Sequence, residues 1–242
     1  MTLSRRVAAE ALGTALLLAA IVGSGIMGET LAGGNIAIAL LANTLATGAM
    51  LVTLIFTFGP ISGGHFNPAV TLADASQSGI GWKDVPAYVL AQMLGAFVGV
   101  GVAHLMFGQA LLQISQHARA GGAQLFSEFV ATFGLLCVIR GCARFRFEVV
   151  ALAVGLYISS AYWFTASTSF ANPAVTLARA FTNTFAGIRP LDIPGFIFVQ
   201  ILGALSATVL FRWLAPPFGS EAQKVVLEPL PDRTSISVKR PI

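Results

Sequence analysis

Apolar residues fill long stretches of this chain that charged residues rarely interrupt. A helix that crosses the hydrocarbon core of a bilayer needs about 20 mostly apolar residues. The uncharged runs cover residues 11–28, 30–73, 85–118, 149–178 and 193–211, and the apolar stretch 121–139 contains one acid. The pattern predicts six membrane-spanning helices, at roughly 7–28, 35–57, 85–108, 124–142, 147–164 and 192–214.

Two of the uncharged runs continue well beyond the span that they contain. Gly59 and Pro60 follow the second span and are predicted to end its helix, and only about ten residues separate Pro68 from the next polar break. The fifth span is likewise followed by a loop and then by a short helical stretch from Pro173. Ten residues, at about 1.5 Å each, cover about half of a core about 30 Å thick. Each stretch is therefore predicted to be a re-entrant half-helix.

The chain also contains an internal repeat. The residues from Asn67 to Ala73 recur letter for letter from Asn172 to Ala178. Matching landmarks lie in the same order around each copy, with an acid before it and a glutamine after it: Glu10 and Gln92 in one half, Glu128 and Gln200 in the other. Two halves, about 6–108 and 124–214, each hold three spans and one half-helix, and an odd number of spans inverts the second half. The predicted fold is an all-α membrane protein with an inverted repeat of three plus three spans.

Composition supports this class and excludes others. Charged residues make up 10% of the 242 residues and hydrophobic residues 56%, whereas charged residues are about 25% of a soluble globular protein. A soluble enzyme, a disordered chain and a disulfide scaffold are excluded on this basis. The two cysteines, Cys137 and Cys142, have no histidine or carboxylate at metal-ligand spacing, so neither a metal nor another cofactor is expected. The channel domain is predicted to cover 1–214, followed by a disordered cytoplasmic tail at 215–242.

The basic residues predict the orientation in the membrane. Six spans place both termini on one side, and 11 of the 14 Lys and Arg residues fall on that side; the other three are Arg119, Arg179 and Arg189. Lys and Arg are enriched in cytoplasmic loops. We therefore expect a multi-pass protein of the cell (inner or plasma) membrane with both termini in the cytoplasm. The net charge of +4 needs no nucleic-acid partner.

The paired half-helices predict a pore for uncharged molecules. Asn is a favoured residue for capping the start of a helix, and Pro fits its first position. Asn67 and Pro68 begin one half-helix, Asn172 and Pro173 begin the other, and the small Ala69 and Ala174 let the two ends approach closely. Each end carries about half a positive charge, which repels cations. The Asn amides have further donors for a passing oxygen atom.

These motifs resemble those of the aquaporin (major intrinsic protein) family. The resemblance rests on the segment Ser62–Thr71 and on the second Asn172-Pro173-Ala174, and it covers nearly all of residues 6–214. It implies a homotetramer with one pore in each protomer. It also implies a filter of aromatic residues and arginine on the extracellular side of the two Asn-Pro-Ala motifs.

The chain departs from the family at that filter. Members usually carry Arg directly after the second Asn-Pro-Ala, where this chain has Val175. The resemblance places Thr47 and Ser169 at two further filter positions and either Ser160 or Tyr162 at the fourth. Arg179 corresponds to Asp74 of the first half, which suits a place at the solvent edge, although partial substitution for the missing Arg stays open.

Such a filter is wider than that of a water channel and lacks its fixed cation. It favours neutral polyols such as glycerol, urea and metalloid hydroxides such as arsenite, besides water. Bacterial branches of the family that lack the filter Arg include members associated with arsenic resistance. A water-preferring aquaporin is the alternative, and an ion-coupled secondary transporter, which can also use inverted repeats, is a more distant one.

Three further residues are assigned to support of the pore loops. Glu10 and Glu128 are acids inside predicted spans, which by default indicate an ion path. Their symmetric positions and the resemblance favour another role, as acceptors of hydrogen bonds from the re-entrant loops. His65 precedes the first half-helix and is expected to fix the loop beside the pore, with pH gating as its alternative. No arrangement of residues indicates an enzyme.

Overall fold

The computed structural model of the protein describes residues 1–215, and every regular element in that range is helical. Six helices are long: α1 (Leu3–Leu31), α2 (Ile36–Ser62), α4 (Val85–Met106), α5 (Gly122–Phe145), α6 (Val150–Phe164) and α8 (Ile193–Leu214). Two are short: α3 (Pro68–Ala75) and α7 (Pro173–Ala178). The predicted all-helical fold is confirmed; the tail predicted to be disordered lies, from residue 216 onward, outside the described residues.

Five of the long helices are long and apolar enough to cross a membrane, and α6 is a shorter apolar helix of 15 residues. At about 1.5 Å per residue, α6 spans about 22 Å. A three-residue 3₁₀ turn, Phe147–Val149, precedes it. The fifth predicted span, 147–164, therefore consists of this turn and α6 together.

The prediction that Gly59 and Pro60 end the second helix was wrong, because α2 continues to Ser62. Proline lacks the N–H that would bond the carbonyl four residues earlier. Pro60 lies in the last turn of α2, where only two more helical residues follow it. Gly63 then adopts a left-handed conformation, with φ 96°, and its N–H bonds the carbonyl of Gly59. The loss of this one backbone hydrogen bond costs little, because the helix ends two residues later.

The two half-helices point to opposite faces of the helix bundle. Contacts of Arg6 with Asp84, of Asp74 with Arg140 and of Ser76 with Arg212 place the starts of α1 and α4 and the ends of α3, α5 and α8 on one face. We call this the amino-terminal face. The turn after α7 lies on the opposite face, since Thr182 bonds His104 at the end of α4. This is the inverted arrangement that the repeat predicts.

Glycines let the helices of each half pack closely. A Cβ atom on Gly95 of α4 would overlap the carbonyl oxygen of Ala11 in α1, and one on Gly99 would overlap that of Ala15. In the second half, a Cβ on Gly203 of α8 would lie 2.6 Å from the carbonyl oxygen of Phe129 in α5. Glycines at the helix contact therefore let α1 pack closely against α4 and α5 against α8.

The outer surface of the bundle is apolar. Large hydrophobic side chains are exposed on the long helices, among them Leu45, Leu90, Leu156 and Phe198. An exposed apolar surface of this extent is typical of a protein that contacts lipid or other subunits. Buried polar residues instead lie in the interior, and Glu10, Glu128, Gln92 and Gln200 among them surround the loops that lead to the half-helices.

Candidate functional site

The starts of the two half-helices meet through a reciprocal pair of hydrogen bonds. The Asn67 side chain donates from Nδ2 to the carbonyl of Ala171 at 2.8 Å, and the Asn172 side chain donates from Nδ2 to the carbonyl of Phe66 at 2.8 Å. Each asparagine thus bonds the residue that precedes the other asparagine. The two repeats are joined at this point.

Each asparagine also caps its own half-helix. Asn67 Oδ1 accepts from the N–H of Ala69 at 2.9 Å, and Asn172 Oδ1 accepts from the N–H of Ala174 at 2.9 Å. Pro68 and Pro173 occupy the first helical positions, where their missing N–H costs nothing. A side-chain amide has two N–H donors, and the cross-bond uses one of them. One donor on each asparagine is left for a third partner.

Two buried carboxylates hold the loops that lead to these asparagines. Glu10 accepts from the backbone N–H groups of His65 and Phe66 at 3.0 and 2.7 Å. Glu128 accepts from those of Phe170 and Ala171, both at 2.8 Å. Phe66 and Ala171 both have a φ of 48°, a conformation that non-glycine residues rarely adopt. The carboxylates therefore hold a strained turn that aims each asparagine inward.

A glutamine and a threonine complete each support. Gln92 donates to Glu10 at 2.8 Å and to Thr71 at 2.9 Å. In the second half, Gln200 donates to Glu128 at 2.7 Å and to Thr176 at 2.9 Å. Sequence analysis finds the two glutamines as landmarks of the repeat but assigns them no role. The available signal was the matching pattern Gln-x-Leu-Gly-Ala that follows each Asn-Pro-Ala motif, at Gln92–Ala96 and Gln200–Ala204.

A cavity of about 270 Å³ lies beside the two asparagines. It extends from Asp74 and Arg140 near the amino-terminal face to Arg179 in the turn after α7. Its wall is mostly apolar; among the residues that form it are Leu17, Ile21, Leu51, Leu135, Val154 and Ile158. Asn67, Asn172 and the loop residues Gly63 to Phe66 supply the polar part. An elongated cavity lined by both polar and apolar residues results.

Four of the five residues that the sequence assigned to a filter line this cavity: Thr47, Tyr162, Ser169 and Val175. Tyr162 donates to Thr47 Oγ1 at 3.3 Å, and the Ser169 hydroxyl is buried without a partner. Ser160 does not line the cavity and is exposed on α6. It is therefore the alternative that the structure contradicts. The helix runs two residues further than the count back from Asn172 assumes, which puts Tyr162 on the inner side.

Arg179 also lines the cavity and is only 2% exposed. The expectation that it lies at the solvent edge, like Asp74, was wrong. Its Nε donates to the carbonyl of Ala186, and its guanidinium lies 3.5 Å from the centre of the Phe170 ring. The reason is local: α7 ends at Ala178, so the 3₁₀ turn that begins at Arg179 carries the side chain back over the loop.

Sequence analysis missed a second arginine in this region. Arg119, in the segment between α4 and α5, donates to the carbonyls of Gly187 and Ser167 at 2.8 and 3.2 Å. Its guanidinium lies 4.9 Å from the centre of the Phe170 ring. Burial lowers the pKa of Arg119. Arg119 lies in a loop without hydrophobic periodicity, so the sequence showed only that the residue is charged.

The loop that carries Arg119 is tied to the start of α8. Asp192 accepts from the Arg119 backbone N–H at 2.8 Å and pairs with Arg189 at 2.8 Å. Burial alone would raise the pKa of this carboxyl, but the hydrogen bonds from Arg189 and Arg119 outweigh it and hold the pKa below its usual range. The carboxylate is therefore charged at neutral pH and fixes the loop over the cavity.

Three polar side chains lie at the other end of the cavity. His65 Nδ1 is 3.1 Å from Thr71 Oγ1, and His65 Nε2 is 3.7 Å from Asp74. Asp74 also lies 3.7 Å from Arg140. His65 thus contacts both the half-helix, through Thr71, and Asp74 at the mouth. Its role in fixing the loop stays a prediction.

Comparisons with known proteins agree with this geometry. The profile of the family described as Major intrinsic protein matches residues 1–145. The chain is 57% identical over 215 residues to the aquaglyceroporin AqpS of Rhizobium meliloti (strain 1021), covering 89% of this chain and 92% of that protein. It is 30% identical to the probable aquaporin AqpM of Archaeoglobus fulgidus over 89% of this chain and 98% of that one.

A solved structure shares the fold. The X-ray structure of the aquaglyceroporin from Plasmodium falciparum aligns with a TM-score of 0.66 and 22% identity, covering 93% of this chain and all of that one. The described residues form five helices long and apolar enough to cross a membrane and a shorter apolar helix, α6. Two opposed half-helices are joined at their asparagines, beside a cavity. The chain belongs to the major intrinsic protein (aquaporin) family, and it is a membrane channel for small neutral solutes rather than an enzyme.

Proposed function

We propose that this channel passes glycerol, urea and metalloid hydroxides such as arsenite, together with water. One observation carries the proposal: Val175 is the residue after the second Asn-Pro-Ala and lines the cavity. A valine there is shorter than an arginine and donates no hydrogen bond. The name of the relative AqpS, an aquaglyceroporin, supports the same class of solute.

The cavity offers different surfaces to the two sides of a polyol. The free N–H donors of Asn67 and Asn172 can bond a hydroxyl oxygen, and we infer that carbonyls of the loop Gly63–Phe66 accept its hydrogens. The apolar wall accepts the carbon side without a loss of hydrogen bonds. Undissociated arsenous acid, a neutral triol similar in size to glycerol, suits the same surfaces.

Cations are excluded at the centre by charge. The two half-helices begin at the crossed asparagines, and each contributes about half a positive charge there. The carboxylate oxygens of Glu10 and Glu128 accept hydrogen bonds from the loops and from Gln92 and Gln200. Neither acid is therefore placed to stabilise a cation in the cavity.

Swelling of proteoliposomes tests the proposal. Glycerol, urea and arsenite are each applied as an osmotic gradient, and water flux is measured with an osmolyte that does not cross the membrane. Val175→Arg is compared with Val175→Leu, which adds volume without charge. We expect Val175→Arg to reduce glycerol and arsenite flux more than water flux, and Val175→Leu to reduce glycerol flux far less. Equal losses for all solutes would place the constriction away from Val175, and flux of water alone would favour a water-preferring aquaporin.

The same vesicles distinguish a channel from a transporter. An ion-coupled transporter accumulates its substrate uphill under an imposed proton gradient, whereas a passive channel only equalises concentrations. We expect glycerol to equilibrate at the same level with and without the gradient. Accumulation above the outside concentration would overturn the passive mechanism.

We further propose a homotetramer in the cell (inner or plasma) membrane with both termini in the cytoplasm. The exposed apolar surface of the long helices supports contact with lipid and with other copies. Chemical crosslinking in native membranes tests the assembly, with a ladder that stops at four subunits as the expected result.

A further inference from the structure

Arg179 is a buried cation that the cavity does not neutralise. It lies one helical turn beyond Val175, lines the cavity and is 2% exposed. Within residues 1–215, no carboxylate lies within salt-bridge distance of its guanidinium, whereas Arg140 pairs with Asp74 and Arg189 with Asp192. Buried charges are ordinarily paired, so an unpaired one beside a cavity needs an explanation.

The side chain of Arg179 is fixed rather than loose. Its Nε donates to the carbonyl of Ala186, and its guanidinium lies 3.5 Å from the centre of the Phe170 ring. That ring packs edge-on against Phe196 at 5.5 Å, and Glu128 holds the backbone N–H of Phe170. The network that shapes the pore loop therefore also positions the guanidinium.

One end of the guanidinium has no partner. Nη1 of Arg179 is buried and makes no hydrogen bond, and the hydroxyl of Ser169, which lines the same cavity, is also buried without a partner. Buried polar atoms are nearly always satisfied, by the protein or by a bound molecule. The N–H donor of Arg179 and the hydroxyl of Ser169 lie at the same cavity without a partner. They can therefore bind an oxygen atom of a solute.

We propose that Arg179 and Ser169 form a solute-binding subsite at the mouth opposite the amino-terminal face, and that Arg179 supplies there the fixed positive charge that Val175 lacks. The subsite takes neutral solutes with hydroxyl or carbonyl oxygens and repels cations before they reach the asparagines. The proposal rests on the proposed function and adds a specificity-determining residue to it.

Arg179→Gln is the first test, because glutamine removes the charge and keeps a polar, although shorter, side chain. We expect proton and potassium leak through proteoliposomes to rise about tenfold, since one unit charge near the path is lost. Lys83→Gln is the control for the loss of a positive charge: Lys83 is exposed on the amino-terminal face and does not line the cavity, and its replacement should leave the leak unchanged. Val175→Arg in the Arg179→Gln background should restore low leak.

Ser169→Ala gives an independent test without a risk to folding, because the serine hydroxyl has no partner to lose. We expect the ratio of glycerol flux to water flux to fall about threefold to tenfold, the value of one hydrogen bond. The proposal is overturned if Arg179→Gln leaves the leak unchanged in vesicles that still pass glycerol, or if Ser169→Ala leaves the ratio unchanged. Absence of glycerol flux through the unaltered protein would instead overturn the proposed function.

Discussion

Glu10 and Glu128 show how a buried acid can serve backbone geometry. Each accepts two loop N–H groups and a glutamine amide. Hydrogen bonds to a charged acceptor are among the stronger ones in proteins. The acids lie inside spans, where an ion path is the usual explanation, but their acceptors are already occupied by the pore loops.

Glu128→Ala should therefore destabilise the protein strongly. It leaves the N–H groups of Phe170 and Ala171 and the amide of Gln200 without an acceptor, and each buried unsatisfied donor costs about 1–3 kcal/mol. We expect a lower thermal unfolding temperature in detergent and loss of glycerol flux. Glu29→Ala, which removes an exposed acid at the end of α1, is the control and should have little effect.

Glu128→Gln separates support of the loop from proton transfer. It keeps one carbonyl acceptor and should give an intermediate unfolding temperature with partial glycerol flux. A variant that unfolds like the unaltered protein but loses a proton-coupled uptake would contradict the structural role.

Individual residues also show which features of the site could be predicted from the sequence. Asn67 and Asn172 were predicted to meet because the repeat is identical and helix-capping preferences are local. The choice between Ser160 and Tyr162 stayed open, and Arg179 was misplaced, because both depend on the path of a loop. The position of Ser160 was counted back across that loop, and Arg179 turns back over it. Arg119 was missed because its partners, Gly187 and Ser167, are distant in sequence.

Among the helices, the glycine contacts explain why α1 and α4 pack so closely. Gly95 faces the backbone of α1, whereas Gly101 of the same helix has open space where a Cβ would lie. Six spans and two half-helices followed from run lengths, which depend only on local composition. Two features did not follow from run lengths: the 3₁₀ turn at Phe147–Val149 and the extension of α2 past Pro60. Both depend on how the helix ends are capped.

Gly95→Ala should destabilise the protein, because the added methyl group meets the carbonyl oxygen of Ala11 and forces α1 and α4 apart. Overpacking of this kind costs about 1–3 kcal/mol. Gly101→Ala is the matched control, and there alanine should be neutral or slightly stabilising because its helix propensity exceeds that of glycine by about 1 kcal/mol. Thermal unfolding of both variants in detergent measures the difference. Equal shifts would mean that the close approach of α1 and α4 does not contribute to stability.

Across the entire chain, the inverted repeat makes the two mouths differ although the centre is nearly symmetric. Asp74 at the end of α3 faces Arg140 and His65, while its counterpart Arg179 at the end of α7 has no acid beside it among the described residues. The arginine that lines the cavity is thus paired with an acid at one mouth and unpaired at the other, which we call the positive mouth. A cation that approaches from the second side meets repulsion before it reaches the asparagines, so the orientation of the chain decides which compartment faces the positive mouth.

That orientation can be measured with a thiol reagent that does not cross membranes. Cysteine is introduced at Lys83, on the amino-terminal face, or at Ala118, on the opposite side, both of which are exposed, in a chain whose Cys137 and Cys142 are replaced by alanine. Because 11 of the 14 basic residues share the side of the termini, and Lys and Arg favour the cytoplasm, we expect Ala118→Cys to react in intact cells and Lys83→Cys to react only after the membrane is opened. The reverse pattern would place the positive mouth in the cytoplasm and require that cation exclusion by Arg179 act on efflux.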